Sequence, residues 1–132
     1  DNAILGNSID NNGNLGIDLS GGTEDAFGVT ANDAGDADSG ANDLQNAPVI
    51  TLVDTDETST VRITGSLNSS ASTSDRIEFF DSPIADPSGS GEGARFLGST
   101  LVATDVLGDA NFDVQFAKSR RPAGSLLQPQ RK

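Results

Sequence analysis

The chain has 132 residues, which is enough for one ordinary domain or for a small domain with part of another. It contains no cysteine and no histidine, so thiolate nucleophiles, imidazole bases, disulfides and the usual zinc ligands are excluded, and with them most enzyme classes. Residues 1–117 hold all 20 acids and three of the eight bases, a net charge of −17, which predicts no nucleic-acid partner and no membrane insertion because both depend on cations.

Residues 1–22 begin with a short repeated unit. Asn2-x-Ile4 is followed by Asn7-x-Ile9, an Asn-Gly turn and the sequence "LGIDL" at residues 15–19. A period of five residues fits neither a helix nor a hairpin, whereas short strands separated by asparagine corners are typical of a parallel β-helix coil. A polar loop with isoleucines by chance is the alternative.

Residues 23–46 are rich in glycine, aspartate and asparagine and have little periodicity, so they are predicted to form a long acidic connector loop. Calcium binds six to eight hard oxygen atoms, and this loop could supply them within twelve residues. The glycine spacing does not match an EF-hand, and a solvated acidic joint without a metal is the alternative. The candidate calcium ligands are Asp33, Asp36, Asp38, Asp43, Asn32 and Asn42.

Residues 47–117 change to a period of two. Five segments alternate apolar and polar residues and are rich in β-branched residues or phenylalanine, which predicts antiparallel strands separated by turns. Short strands about ten residues apart are typical of a β-sandwich. The segments are 47–53, 59–67, 75–80, 94–104 and 110–116.

Residues 118–132 form a basic tail with five bases and no acid. The strand pattern stops there, and Pro129 is a poor residue for a central strand. An irregular tail is therefore predicted, which leaves the sandwich with an incomplete set of strands and an exposed edge.

The segments "NAILGNSIDNNGNLGIDLSGG", "NDAGDADSGANDLQNAPVI" and "GEGARFLG" resemble the C-terminal end of the right-handed parallel β-helix repeat proteins of bacterial cell surfaces. The resemblance covers roughly residues 1–117. It implies an all-β fold in which the last coil of a right-handed parallel β-helix passes through the acidic connector into an Ig-like antiparallel β-sandwich. It also implies a secreted or cell-surface location and upstream β-helix coils in a longer parent chain, and it supplies no catalytic residues.

Proteins of this kind look as though they continue after "PAG" with a further strand similar to "QFITATATD". In this chain "SLLQPQRK" follows Gly124 instead. Two explanations stay open: a functional basic tail that complements the acidic body, or a shifted reading frame.

A non-enzymatic structural or adhesive module is the function that these features predict, and self-association is left open. A carbohydrate-active or carbohydrate-binding protein is the alternative. Asp81, Asp86 and Glu92 are carboxylates that a glycosidase could use, but they fall in or beside a predicted glycine-rich loop with nothing obvious to shift their pKa values. The chain also lacks tryptophan and tyrosine, on which sugars usually stack.

Overall fold

The structure, a computed structural model, describes residues 2–56, 59–117 and the backbone of 126–129. These residues form an all-β fold with antiparallel sheets. In chain order the strands are β1 (Val49–Thr55), β2 (Thr60–Asn68), β3 (Ser74–Ser82), β4 (Arg95–Ala103), β5 (Asp109–Ala117) and β6 (Leu126–Pro129). The first five confirm the strands predicted from the alternating pattern, with ends that differ by one or two residues.

Two three-stranded sheets make up the fold, in the orders β1-β2-β5 and β4-β3-β6. In the first sheet β2 is central, and its buried side chains alternate with more exposed ones. In the second sheet β3 is central and is buried on both faces from Ile77 to Ser82. Register shifts, which are typical of β-bulges, interrupt β1 between Ile50 and Leu52 and β3 between Phe79 and Phe80.

The hydrophobic core lies between the two sheets. Phe79 of β3 is 1% exposed and packs its ring 5.4 Å from Phe112 and 5.2 Å from Phe116, both on β5. Ile63 on β2 and Ile77 on β3 are buried in the same cluster. The alternation along β2 and β5 therefore aims one row of side chains at the facing sheet, as a sandwich requires.

Asp105 holds the turn between β4 and β5. One of its carboxylate oxygens accepts hydrogen bonds from the backbone N–H of Leu107 at 2.8 Å and of Asp109 at 3.0 Å. Gly108 has φ +87°, and a Cβ atom there would lie 2.1 Å from the carbonyl oxygen of Ser69. Glycine is required at this position both by the backbone conformation and by the close approach of the β2–β3 loop.

The N-terminal segment, residues 2–22, folds back along β3 and the chain before β4. Ile9 donates its N–H to the Gly93 carbonyl at 2.9 Å in an isolated antiparallel bridge. Glu78 accepts the Gly6 N–H at 2.7 Å, and Glu92 accepts the Asn12 N–H at 3.0 Å. The described part of this segment contains no strand longer than that bridge, so a parallel β-helix coil is not present as a regular element.

The prediction of an irregular tail is wrong for Leu126–Pro129. These four residues pair with Phe79–Ser82 as β6, at an edge of the β4-β3-β6 sheet. An edge position explains how the strand accommodates Pro129, which has no N–H to donate and would interrupt a central strand. Residues 118–125 and 130–132 of the predicted tail lie outside the described part of the chain.

Candidate metal site

The acidic connector is tied to the sandwich through Asn46, a side chain that is 4% exposed. Its amide nitrogen donates to the carbonyl oxygens of Asp33 at 2.7 Å and of Asn68 at 2.9 Å. Its amide oxygen accepts the Asp33 N–H at 2.9 Å. One buried asparagine therefore joins the middle of the connector, at Asp33, to the end of β2, a role that the sequence analysis did not assign.

Asn68 and Ser69 complete this attachment from the sandwich side. The Asn68 amide oxygen accepts the Gly35 N–H at 2.7 Å, and its nitrogen donates to Asp109 at 2.8 Å. The Ser69 hydroxyl donates to Asp36 at 3.2 Å. The connector loop is thus held by polar side chains at the end of β2, which replace the ladder that a regular strand would provide.

Three of the predicted ligands converge. Asp33, Asp36 and Asp38 each bring one carboxylate oxygen within 4.8 Å of the others, and all three residues are half-buried. Left-handed backbone conformations at Gly35 (φ +73°) and Asp36 (φ +54°) fold the loop where the three aspartates converge. Glycine and aspartate are among the residues that tolerate this conformation, which is why the sequence "DAGDAD" can form the turn.

Backbone groups hold two of these carboxylates in place. Asp33 accepts the Ala37 N–H with both oxygens, at 3.1 and 3.3 Å, and Asp36 accepts the Asn46 N–H at 2.7 Å. Each carboxylate oxygen has two lone pairs, so an oxygen that accepts one hydrogen bond can still ligate a cation.

The other predicted ligands have different positions. Asn32 hydrogen-bonds the backbone of Ala47 with both amide atoms, at 2.7 and 2.8 Å, which fixes the entry into β1. Asn42 and Asp43 lie in a short 3-10 turn, Ala41–Leu44, and both have left-handed φ angles of +53° and +57°. The Asn42 amide oxygen accepts the Asn2 N–H at 2.6 Å. These three residues therefore do not join the close group of carboxylates.

A cavity of about 460 Å³ opens beside the close group. Asp36 and Asp38 form part of its wall, together with Asn42 and Asp43 from the 3-10 turn. Asp75, at the start of β3, is a further carboxylate in this wall that the sequence analysis missed. Ser69, Ser70 and Thr73 add hydroxyl groups to the lining, which also includes residues of the N-terminal segment. The cavity therefore offers amide and hydroxyl oxygens next to the three converging carboxylates.

The donor set fits a hard divalent cation. Asp33, Asp36 and Asp38 could hold a metal ion through carboxylate oxygens, which calcium prefers over nitrogen or sulfur ligands. Three like charges this close repel one another, and a cation would remove that repulsion. The cavity walls and water could supply the remaining oxygens of a six- to eightfold shell.

The carboxylates that a glycosidase could use have separate structural roles. Asp81 is 1% exposed and accepts a hydrogen bond from Arg95 at 2.7 Å. Asp86 accepts the Ser88 N–H at 2.8 Å and so holds the turn that follows β3. Glu92 accepts the Asn12 N–H, which attaches the N-terminal segment to the sandwich. Each carboxylate is thus used by the fold, while Asp86 and Glu92 also line one cavity of about 430 Å³.

Three ionised groups on the sandwich have pKa values that are shifted by their hydrogen-bond partners. Hydrogen bonding from Arg62 lowers the pKa of Asp113 below its ordinary value of 3.8, and the same contact raises the pKa of Arg62. The N–H groups of Asp109 and Leu107 lower the pKa of the Asp105 carboxyl. Asp113 lies on β5 and Asp105 in the β4–β5 turn, so these effects belong to the sandwich and not to the connector.

No known protein-family model matches this chain, and no curated protein sequence matches it. Among the described residues, none belongs to a helix with the length and hydropathy that crossing a membrane requires.

Proposed function

We propose that this chain is a non-enzymatic structural or adhesive module of a secreted or cell-surface protein, in which calcium orders the acidic connector. In this proposal the connector joins the end of a right-handed parallel β-helix to an Ig-like sandwich. The antiparallel two-sheet fold and the acidic body, with a net charge of −17 over residues 1–117, support a role of this kind.

The observation that carries the proposal is the convergence of Asp33, Asp36 and Asp38 at the junction with the sandwich. The connector reaches β2 through Asn46 and Asn68, so a cation held by the three aspartates would stiffen the same junction. Extracellular fluids contain calcium at millimolar levels, and extracellular modules bind it with dissociation constants of about 10⁻⁴–10⁻³ M. A weak site would therefore be occupied in that setting.

The sandwich would serve the parent chain as a cap. The open end of a β-helix exposes unpaired strand edges that invite stacking with another chain, and a terminal domain that covers them prevents this. The N-terminal segment already contacts Glu78, Glu92 and Gly93 along the second sheet. The upstream coils of the parent chain would lead into this segment.

The proposal is tested by calcium titration of the chain and of the variant Asp38→Asn. For a dissociation constant of about 1 mM, calcium at ten times that concentration stabilises the fold by about 1.4 kcal/mol. A domain of this size should then show a rise in melting temperature of roughly 5 °C, measured by scanning calorimetry against a chelator.

Calcium should reverse the order of stability of Asp38→Asn and the wild type. In chelator, Asp38→Asn removes one of three repelling charges and is expected to be at least as stable as the wild type. In calcium, Asp38→Asn should lack the stabilisation that the wild type gains from the bound cation. Asp18→Asn is the matched control, because it removes the same charge from an exposed residue outside the group. Equal melting temperatures with calcium and with chelator for the wild type would contradict the proposal.

A further inference from the structure

The strand β1 lies at the edge of the β1-β2-β5 sheet and is exposed on both faces. Leu52 pairs with Thr64 on the outer face and is 50% exposed. Val53 pairs with the buried Ile63 on the inner face, yet it is still 39% exposed because the facing sheet does not cover it fully. Val49, at 52% exposure, extends the apolar surface toward the start of the strand.

The edge of β1 is protected against an added strand only in part, by Asp54 and by the bulge between Ile50 and Leu52. Natural edge strands carry charges or proline, whereas residues 49–53 contain neither. By contrast, β5 at the other edge of the same sheet carries Asp109 and Asp113. The bulge between Ile50 and Leu52 interrupts the ladder for one residue and leaves Leu52–Thr55 paired regularly with β2.

The negative charge around β1 indicates which kind of segment would bind at its edge. Asp54 lies within β1 and Asp56 follows it, while residues 1–61 contain 12 acids and no base. Among the described residues, Arg62 lies opposite Asp54, and its guanidinium donates a hydrogen bond to Asp113. The acidic body of a second copy, −17 over residues 1–117, would be repelled from this edge, whereas a basic segment would be attracted to it.

We propose that β1 binds an extended basic segment of a partner protein, which adds to the sheet as a strand next to β1. Main-chain hydrogen bonds to the open edge would supply affinity, and apolar side chains at alternate positions would cover Leu52 and Val53. Lysine or arginine residues of the partner would face Asp54 and Asp56. The inference names a partner class for the proposed adhesive module and rests on that role.

The test uses a nine-residue peptide that contains three lysines separated by alternating valine and threonine residues. A matched peptide has glutamate in place of each lysine. Amide hydrogen exchange measured by NMR should show new protection within residues 49–55 on addition of the lysine peptide. The glutamate peptide should give none. Binding of the lysine peptide should weaken as salt is added, because exposed charges are screened.

Two variants of the full chain complete the test. Leu52→Lys places a positive charge against the peptide and should weaken binding by at least about tenfold. Leu101→Lys is the matched control, because Leu101 is 70% exposed on β4 in the other sheet, and it should change the affinity less than about twofold.

Failure of the lysine peptide to bind, equal binding of both peptides, or protection elsewhere would overturn the inference. A chain that dimerises alone and becomes monomeric as Leu52→Lys would show that a second copy occupies the edge, which also contradicts it. None of these outcomes alters calcium binding at Asp33, Asp36 and Asp38, so this inference and the proposed function can fail separately.

Discussion

At the residue scale, Asn46 is the side chain on which the connector depends. It makes three hydrogen bonds to Asp33 and Asn68 from a buried position. Asn46→Ala would leave the Asp33 N–H and the Asn68 carbonyl without these partners, which costs about 2–3 kcal/mol of unfolding free energy. Urea denaturation would measure this loss. Asn14→Ala, at an exposed position, is the control and should change stability by less than about 0.5 kcal/mol.

Asn46→Ala also links stability to metal binding. Since Asn46 fixes the backbone of Asp33, its loss should weaken calcium binding in the same titration that compares Asp38→Asn with the wild type. An Asn46→Ala chain with unchanged stability and unchanged calcium affinity would show that the attachment is not needed.

The two lowered carboxyl pKa values predict how stability depends on pH. Asp105 and Asp113 have folded pKa values below 3.8, so each is more easily protonated in the unfolded chain. Their stabilisation is complete above the unfolded pKa and is lost as pH falls through the folded pKa. The melting temperature should therefore decrease below about pH 4.

Asp105→Asn isolates one of these contributions. The variant should be less stable than the wild type at neutral pH, and the difference in melting temperature should shrink as the pH falls from about 5 to about 2. A difference that stays constant over this range would contradict the assigned cause. Asp10→Asn, at an exposed position of the N-terminal segment, provides the control for loss of one charge.

At the element scale, the pairing of β1 with β2 requires a glycine at position 65. A Cβ atom there would lie 2.2 Å from the Val49 carbonyl oxygen and 2.4 Å from the ring of Phe112. Gly65→Ala should therefore push β1 and the core apart and destabilise the chain by about 2–3 kcal/mol. Gly13→Ala is the control, because no atom lies within 4 Å of the added methyl group. Denaturant midpoints of the two variants would measure the contrast.

The strands could be predicted from the sequence because their signal is local. Alternation at period two, as in "STVRITGSL", identifies the buried row Val61, Ile63 and Leu67 without knowledge of the partner strand. The bulge at Phe79 and Phe80 and the strand order of the sheets depend on long-range packing. The strand β6 was missed because four residues that end in proline carry almost no alternating pattern.

The candidate site was predictable only in part, because it also depends on long-range packing. Asp33, Asp36 and Asp38 converge because the local turn at Gly35 and Asp36 brings them together. Asp75 reaches the same cavity from a strand more than 30 residues later, and Asn42 and Asp43 reach it through their own turn. Spacing along the connector contains no information about Asp75 or about the use of Asn32 to hold Ala47.

At the scale of the whole molecule, the charge of the body opposes folding. A net charge of −17 over residues 1–117 produces self-repulsion that salt screens. Sodium chloride should therefore raise the melting temperature gradually in both the wild type and Asp38→Asn. Calcium at matched ionic strength should raise it further in the wild type alone. Equal effects of the two salts would reduce the role of calcium to screening.

The central claim is that calcium orders the acidic connector, and hydrogen exchange of the full chain tests it most directly. Amides of residues 33–46, which include the Ala37 and Asn46 donors to the aspartates, should exchange more slowly in millimolar calcium than in chelator. Amides of the connector in Asp38→Asn should not respond. Exchange in residues 33–46 that is the same with calcium and with chelator would contradict the account.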